Sequence, residues 1–229
     1  MVIFINFHNF SFSPVIWITN IGILASTKAS DMQAIIDVIE AKELNAKISV
    51  VISDKEGAYA LERARKRNIK AVFIDPKAGD ILKEEGRGKR RELFDKKVSK
   101  ELEKNNVELI LAIGYMRIIS PWLVNKYRNR IMNIHPSLLP KFAGGMDKDV
   151  HQAVLDAKEK VTGCTLHFVD ESVDGGPIIM QKEVKINKNE TAGTLREKVQ
   201  KAEQEIIIKA IKLYSEGKIM VKGKKVMLK

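Results

Sequence analysis

Short runs of β-branched residues alternate with longer helical segments along most of the chain, and this alternation constrains the fold more than any other feature. Strands are predicted at residues 20–25, 46–52, 70–74, 108–114, 131–135, 162–169 and 177–186. Helices are predicted at residues 31–41, 58–67, 89–103, 121–128 and 191–216. Strands separated by helices of this length are typical of βαβ units. The sequence therefore predicts an α/β fold with a mostly parallel, twisted sheet that carries helices on both faces.

The last third of the chain has a different pattern. Two predicted strands, 162–169 and 177–186, follow each other across a glycine-rich turn, and residues 218–229 are typical of a hairpin that turns at residues 222–224. We therefore expect mixed strand directions toward the C-terminus and a terminal hairpin. Because no repeat or linker interrupts residues 20–229, they are predicted to form a single domain. Asp31 is the predicted N-cap of the first helix.

Residues 1–19 contain no Lys, Arg, Asp or Glu and resemble a membrane segment at first sight. Polar residues and Pro14 interrupt them, so no run reaches the roughly 18 apolar residues of a spanning helix. A secretory signal would also need a preceding Lys or Arg and a small-residue cleavage site. We therefore interpret residues 1–19 as an N-terminal extension, either an edge strand or poorly ordered, and expect no membrane partner.

Composition limits the class of protein further. Cys164 is the single cysteine, which excludes a disulfide scaffold and indicates a reducing, cytoplasmic location. The 40 Lys and Arg residues exceed the 29 Asp and Glu residues and give a formal net charge of +11. This excess predicts an anionic partner, which could be nucleic acid, an acidic membrane surface, or a phosphorylated or polycarboxylate small molecule. Composition alone does not choose among these.

The stretch MNIHPSLLP at residues 132–140 is the first candidate site. Asn133 and His135 alternate on one predicted strand, so their side chains project to the same side, and Pro136 ends the strand. Imidazole can exchange a proton near neutral pH, and an amide NH₂ can stabilise a developing oxyanion. The alternative is that both side chains only satisfy backbone groups at the end of a strand.

A second motif, DESVDGGP at residues 170–177, follows another predicted strand. Asp174 precedes Gly175-Gly176, where the backbone can turn sharply and approach a ligand closely. A carboxylate near His135 would raise the pKa of the imidazole and order a water for proton transfer. An isolated Asp-Gly-Gly is more often a simple turn, but the two motifs together are more specific than either one alone.

Five segments carry a resemblance to a known family. They are SDMQAIID at 30–37, AIGYMRIISP at 112–121, NIHPSLLP at 133–140, TGCTLHFVDESVDGGPII at 162–179 and KVQKAEQ at 198–204. From residue 20 to the hairpin, the chain resembles the glycinamide ribonucleotide formyltransferases of purine biosynthesis, within the 10-formyltetrahydrofolate-dependent formyltransferase superfamily. The resemblance implies a Rossmann-like fold and transfer of a one-carbon formyl group from 10-formyltetrahydrofolate, the co-substrate, without a metal.

The resemblance also implies the catalytic residues. Asn133, His135 and Asp174 correspond to a catalytic trio that acts when the substrate amine attacks the formyl carbon. Asn133 and His135 would stabilise the tetrahedral oxyanion, while Asp174 would hold His135 protonated and help to move a proton through water. Prepositioned donors of this kind suit acyl transfer, in which negative charge develops on an oxygen.

The binding residues are implied in the same way. Glu203 corresponds to an acid that contacts the ribonucleotide, and His167 is expected to pack in the core or behind the site. The residues that the resemblance assigns to the folate are Arg91, Met116, Arg117, Ile118, Ile119 and Asn133. Without the resemblance, Arg91 would belong to a solvated run of charges, Arg117 would be a surface charge at a helix start, and Glu203 one charge on an amphipathic helix.

The loop after the first strand departs from the family. A Gly-x-Gly sequence followed by Ser or Thr and then Asn is expected to bind the substrate phosphate through residues 29–31, but Thr27 and Ala29 replace the glycines and Asp31 replaces the Asn. Glycine allows close approach of a phosphate, and Asp31 adds a negative charge. We therefore leave three readings of Ala29, Ser30 and Asp31 open: weak ribonucleotide binding, a different amine, or a folate- or nucleotide-binding relative with reduced activity.

Two further expectations concern loops and partners. The segment before His151 resembles a longer loop variant, in which Asp147 and His151 either support the site or start a helix. A relative that acts on initiator tRNA would carry a further C-terminal RNA-binding domain, and a hydrolase a further N-terminal domain. We expect neither, and hence small-molecule substrates, no nucleic acid, and a monomer or homodimer.

Overall fold

The computed structural model describes residues 18–77, 86–144 and 149–229. Its strands are β1 (Thr19–Leu24), β2 (Ala46–Ser53), β3 (Ala71–Phe73), β4 (Leu109–Ala112), β5 (Ile131–His135), β6 (Val161–Phe168), β7 (Ile178–Lys185), β8 (Ile219–Lys222) and β9 (Lys225–Leu228). Its helices are α1 (Asp31–Glu40), α2 (Tyr59–Lys66), α3 (Arg87–Lys104), α4 (Pro121–Lys126), α5 (Val150–Asp156) and α6 (Ala192–Ser215). Residues 1–17 of the predicted extension lie outside the described residues, and Thr19 already belongs to β1.

Seven strands form one sheet in the order β3-β2-β1-β4-β5-β6-β7. The pairs from β3 to β5 are parallel, whereas β6 is antiparallel to both β5 and β7. The strands β8 and β9 form the separate hairpin, which turns at Gly223. These observations confirm the predicted α/β class, the mixed strand directions toward the C-terminus and the terminal hairpin.

The core lies on both faces of the sheet, because apolar side chains of the buried strands point toward each face. One face packs against α1, α2, α5 and α6 through residues such as Ile35, Leu61 and Ile207. The other face packs against α3 and α4 through Phe94 and Leu123. None of the described helices combines the length and the apolar character that crossing a bilayer requires.

The chain order of the sheet reverses between β1 and β4. Strand β2 lies on one side of β1 in the sheet, and strand β4 lies on the other. The loops after β1 and β4 therefore separate and leave a crevice at the carboxyl ends of these two strands. Ligands of open α/β sheets bind in such crevices. The fold therefore places residues 25–30 and 113–119 at the mouth of the candidate site.

The start of α1 differs from the expectation. Asp31 was the predicted N-cap, but Ser30 occupies that position with helical dihedral angles and no capping hydrogen bond from its side chain. The tight turn begins one residue earlier, at Ala29, whose φ of 44° is left-handed and whose carbonyl accepts a hydrogen bond from the Met32 amide at 3.1 Å. Asp31 is consequently the first residue of the helix, and its side chain is buried.

Helix α5 is the element that the periodic pattern did not predict. Asp149 is its N-cap and accepts hydrogen bonds from the amides of His151 and Gln152 at 3.1 and 3.4 Å. His151 therefore lies in the first turn of α5, which agrees with the expected role at a helix start. Asp147 lies outside the described residues.

Candidate active site

A cavity of about 520 Å³ opens at the carboxyl ends of β1, β4 and β5. The predicted site residues that line it are Ala29, Ser30, Asp31, Met116, Arg117, Ile118, Ile119, Asn133, His135, Asp174 and Glu203. Arg91 does not line it; this residue is half-buried on α3, where its charge acts on the Asp95 carboxylate. The fold thus brings together every predicted site residue except Arg91.

A hydrogen-bond network holds the segment that enters the cavity after β4. The Ser26 hydroxyl donates to Asp54 Oδ1 at 2.6 Å and accepts a hydrogen bond from the Met116 amide at 2.8 Å. The Arg117 guanidinium lies 4.1 Å from the centre of the Phe94 ring and 3.9 Å from Asp54 Oδ2. Residues 116–119 are therefore fixed to the ends of β1 and β2 as well as to β4.

Two strands bring Asn133 and His167 together. They are directly paired across the antiparallel β5–β6 ladder, and Asn133 Nδ2 lies 3.1 Å from His167 Nε2. His167 Nδ1 lies 2.9 Å from the Phe168 carbonyl oxygen. Because a carbonyl can only accept, Nδ1 carries the proton of the neutral ring, and Nε2 accepts from Asn133. This orients the Asn133 amide and leaves its second N–H free for a ligand.

His167 was expected to pack in the core or behind the site, and the structure shows a more direct contact. Its ring is buried, lines the cavity and lies 3.8 Å from Asp174 Oδ1 through Nε2. Burial is the largest cause of its lowered pKa, which keeps the ring neutral. The alternation of His167 with Phe168 along β6 was visible in the sequence, but the pairing register with β5 was not.

His135 and Asp174 form the centre of the site. His135 Nδ1 lies 3.4 Å from Asp174 Oδ2, and His135 Nε2 lies 3.1 Å from the Phe142 carbonyl oxygen. The same Asp174 oxygen accepts a hydrogen bond from the Gly144 amide at 2.9 Å. Since the carbonyl needs a donor, the proton of neutral His135 lies on Nε2, and Nδ1 is free to accept a proton next to the carboxylate.

Asp174 raises the pKa of His135, as expected, but the net pKa of His135 is lowered. Burial is the largest effect and lowers this pKa, the Asp174 charge and the Phe142 carbonyl raise it, and His167 lowers it. Burial disfavours the charged imidazolium because it removes water from around the ring. The lowered pKa favours the neutral form of His135 at pH 7 in the ligand-free protein, while the role of Asp174 in holding His135 protonated during the reaction stays a prediction.

This charge state can be tested by NMR titration of the His135 ring. We expect His135 to titrate below the ordinary histidine range, and the Asp174→Asn variant to titrate lower still, because that variant loses the main contribution that raises the pKa. The Glu171→Gln variant removes a charge from the same loop and serves as the control. A pKa of His135 above the ordinary value would contradict our assignment.

The loop that carries Asp174 depends on a close approach at Gly176. A Cβ atom at this position would lie 1.9 Å from the Phe168 carbonyl oxygen, which belongs to the backbone of β6 and cannot move aside. A Cβ at Gly175 would instead meet the Ser172 hydroxyl at 2.4 Å, and this exposed side chain can rotate away. Gly176 therefore sets the distance between the loop and β6.

We expect Gly176→Ala to lower the free energy of unfolding by roughly 1–3 kcal/mol, the usual cost of forcing extra atoms into a packed site. The displaced loop should also move Asp174 away from His135 and lower the histidine pKa. Denaturant unfolding and NMR titration measure the two effects. The Gly175→Ala variant is the matched control, and equal losses in both variants would contradict the role of Gly176.

The cavity wall next to α1 and α6 contains the altered loop. Ala29 keeps a left-handed backbone at φ 44° and is almost fully buried, so the loop retains a conformation that normally favours glycine. Glu203 lies on α6, and burial followed by the Asp31 charge raises its pKa. Thr27 of the altered loop also lines the cavity, and sequence reasoning missed Gln200 and Arg196, which line the same part of it.

Comparison with known proteins identifies the family. The formyl transferase family model matches residues 19–211. The phosphoribosylglycinamide formyltransferase of Haemophilus influenzae is 34% identical over 203 residues, covering 88% of this chain and 90% of that enzyme. The crystal structure of glycinamide ribonucleotide transformylase 1 from Symbiobacterium toebii has a TM-score of 0.83 and 36% identity, covering 92% of this chain and 94% of that one.

Larger proteins also contain the same region. The trifunctional purine biosynthetic protein adenosine-3 of Chironomus tentans is 40% identical over 207 residues, which cover 89% of this chain. The chain spans only 14% of the length of that relative. The family match, the bacterial enzymes and the shared fold together show that the chain belongs to the formyl transferase family, among the phosphoribosylglycinamide formyltransferases.

Proposed function

We propose that the chain transfers a formyl group from 10-formyltetrahydrofolate to the amine of glycinamide ribonucleotide in de novo purine biosynthesis. The observation that carries this proposal is the convergence of Asn133, His135 and Asp174 in one cavity, with the segment 116–119 on one side and the start of α1 on the other. This arrangement offers separate places for two ligands around a shared set of proton donors and acceptors.

The folate end of the site is assigned to residues 116–119. Met116 and Ile118 are 41% and 38% exposed, which leaves apolar surface for an aromatic ring system, and the Ser26 network fixes the backbone between them. The Arg117 guanidinium is already engaged with Phe94 and Asp54, so we assign its backbone to the folate. Arg91, outside the cavity lining, remains a predicted contact for the more distant carboxylates of the folate.

The positions of the protons on Asn133 and His135 determine which atoms can donate hydrogen bonds in the chemical step. The amine nitrogen attacks the formyl carbon, a C–N bond forms, and the carbonyl electron pair moves to the oxygen. The free N–H of Asn133 and the Nε2–H of His135 donate to this oxyanion, the latter in place of the Phe142 carbonyl. Each such donor is worth about 10²–10³ in turnover when its position is fixed in advance.

The proton released by the amine has a short path through the site. His135 Nδ1 is free to accept a proton, and Asp174 at 3.4 Å stabilises the imidazolium that results. Asp174 also orders water for transfer to the folate nitrogen as the tetrahedral intermediate breaks its bond to that atom. The lowered pKa of His135 suits this role, because a neutral imidazole is ready to receive the proton.

The altered loop favours a second candidate, a formyl transfer to a different amine. Asp31 places a carboxyl at the start of α1, where the family binds a phosphate, and a negative charge there opposes an anionic ligand. Under this alternative the chemistry at Asn133, His135 and Asp174 is unchanged. Only the amine differs, so a panel of phosphorylated and unphosphorylated amines distinguishes the two candidates.

The decisive assay follows the loss of the formyl group from 10-formyltetrahydrofolate with and without glycinamide ribonucleotide. We expect turnover that depends on the ribonucleotide. Absence of such turnover at high enzyme concentration, with formyl transfer to another amine of the panel, would favour the second candidate. Absence of transfer to every amine would contradict an enzymatic role.

The setting of the reaction is part of the proposal. Both ligands are small anionic molecules, which agrees with the net charge of +11 without requiring nucleic acid. Cys164 is buried and free, in accord with a reducing compartment, and we propose the cytoplasm. We propose a monomer or homodimer as the active species.

A further inference from the structure

Asp95, on α3, is a buried carboxylate to which the proposed chemistry gives no role. It is 1% exposed, and its Oδ2 atom accepts a hydrogen bond from the Ser120 amide at 2.6 Å. Removing a carboxylate from water is costly unless the group is hydrogen-bonded, so this contact is a fixed part of the fold. It joins α3 to a residue that lies 25 positions further along the chain.

Ser120 lies at the end of the segment assigned to the folate. It follows residues 116–119 directly and is the N-cap of α4, where its hydroxyl accepts a hydrogen bond from the Leu123 amide at 3.3 Å. The residue is itself buried. Asp95 therefore holds the chain at the point where the folate segment turns into a helix.

The start of the same segment is held from another direction. The Gly114 carbonyl accepts a hydrogen bond from the Ser26 amide at 3.0 Å, and the Ser26 hydroxyl accepts one from the Met116 amide at 2.8 Å. Between these two anchors lie residues 117–119, which line the cavity. In the ranges 18–77, 86–144 and 149–229, no protein group accepts a hydrogen bond from their three amides. The segment thus has two fixed ends and backbone groups left for a ligand.

We propose that Asp95 is a positioning residue for the folate, which fixes the backbone of residues 116–119 through the Ser120 amide before the ligand binds. Ordering a free backbone costs conformational entropy, and a segment that is ordered in advance avoids this cost on binding. Asp95 is not part of the cavity lining, so it acts through Ser120 and not by touching the ligand. This inference rests on the proposed function, because it concerns the binding of that co-substrate.

The anchor also connects two parts of the proposed folate site. Arg91, the predicted contact for the folate carboxylates, lies four residues before Asp95 and hence on the same face of α3. Because Asp95 holds Ser120 from this helix, α3 sets the separation between Arg91 and residues 116–119. The ring system and the carboxylates of a folate belong to one molecule and need a set separation. Loss of the anchor should therefore weaken folate binding and leave the amine site unchanged.

The first test measures the binding of tetrahydrofolate by calorimetry. We expect Asp95→Ala to raise the Kd about tenfold, the effect of one lost hydrogen bond. Asp95→Asn keeps an oxygen that can accept from the Ser120 amide, so its Kd should stay within about threefold of the wild type. Val98→Ala, also buried on α3, is the control for a general loss of packing. An equal rise in Asp95→Ala and Val98→Ala would overturn the positioning role.

The second test separates binding from chemistry by steady-state kinetics. Asp95→Ala should raise the KM for 10-formyltetrahydrofolate about tenfold, while kcat and the KM for glycinamide ribonucleotide stay within about twofold of the wild type. This division is expected because Asp95 is remote from the reacting atoms and from the amine site. A fall in kcat with an unchanged KM for the folate would overturn the inference.

Hydrogen exchange in the ligand-free wild type tests the anchor by itself. The Ser120 amide should exchange at least about tenfold more slowly than the amide of Ile118, which has no protein acceptor within the described ranges. Equal exchange at the two amides would overturn the anchor. A protected Ser120 amide without any binding of tetrahydrofolate would overturn the folate half of the inference together with the proposed function.

Discussion

We expect the His135→Ala variant to turn over glycinamide ribonucleotide about 10²–10⁴ times more slowly than the wild type, because one side chain supplies both an oxyanion donor and a proton acceptor. Its Nε2–H donates to the Phe142 carbonyl in the ligand-free protein, and its Nδ1 faces Asp174 at 3.4 Å. The loss should appear in kcat, since neither atom is assigned to the binding of either ligand. Steady-state formyl transfer measures it.

Two controls separate this chemical effect from a change in fold. Denaturant unfolding and folate binding should remain close to wild type, because His135 lies at the end of β5 and not in either apolar core. Added imidazole should restore part of the activity by entering the space left by the ring. Near-wild-type turnover without imidazole would remove His135 from the mechanism.

The Asp174→Asn variant is expected to lose about 10²–10³ in turnover with little change in KM. Asparagine can still accept the Gly144 amide hydrogen bond, so the loop should keep its position. The variant loses the negative charge that stabilises the imidazolium of His135 and that orders water for proton transfer. The expected defect is therefore in the proton transfer alone.

Glu171→Gln is the matched comparison for this prediction. Glu171 belongs to the same loop, is exposed, and accepts a hydrogen bond from Asn125 rather than lying against His135. It should keep turnover within about twofold of the wild type, because an exposed charge that does not contact His135 contributes little. Equal losses in the two variants would show that loop charge in general, and not Asp174, governs the rate.

Most of the fold was predictable because the strands are buried on both faces. Runs such as residues 109–112 are apolar throughout, and the helices between them have apolar residues at helical spacing, so local pattern and global fold agree. The periodic pattern did not predict helix α5, because it is short, although a helix start near His151 was one of the two expected roles. Asp31 was wrongly predicted as the N-cap of α1 because the turn before the helix depends on the left-handed backbone of Ala29. The sequence pattern does not reveal this backbone conformation.

The sequence predicted which residues lie in the site better than it predicted their charge states and contacts. Asn133, His135 and Asp174 stand in two recognisable motifs, so the sequence could name them. The pKa of His135 depends on how much water the folded protein removes from the ring, and this property arises only from tertiary packing. The role of His167 depends on the β5–β6 register, and the absence of Arg91 from the cavity lining depends on the path of α3.

The antiparallel pairing of β5 with β6 separates chemistry from recognition along the chain. Asn133 and His135 belong to β5, His167 belongs to β6, and Asp174 lies in the loop that follows β6, so this ladder and its loop carry all the groups assigned to bond making. The contacts assigned to the amine substrate come from α1 and α6 instead. Mutations there can redirect the enzyme to another acceptor while the reactive ladder stays intact, which makes substrate choice the part of this protein that evolution or a protein engineer can alter independently.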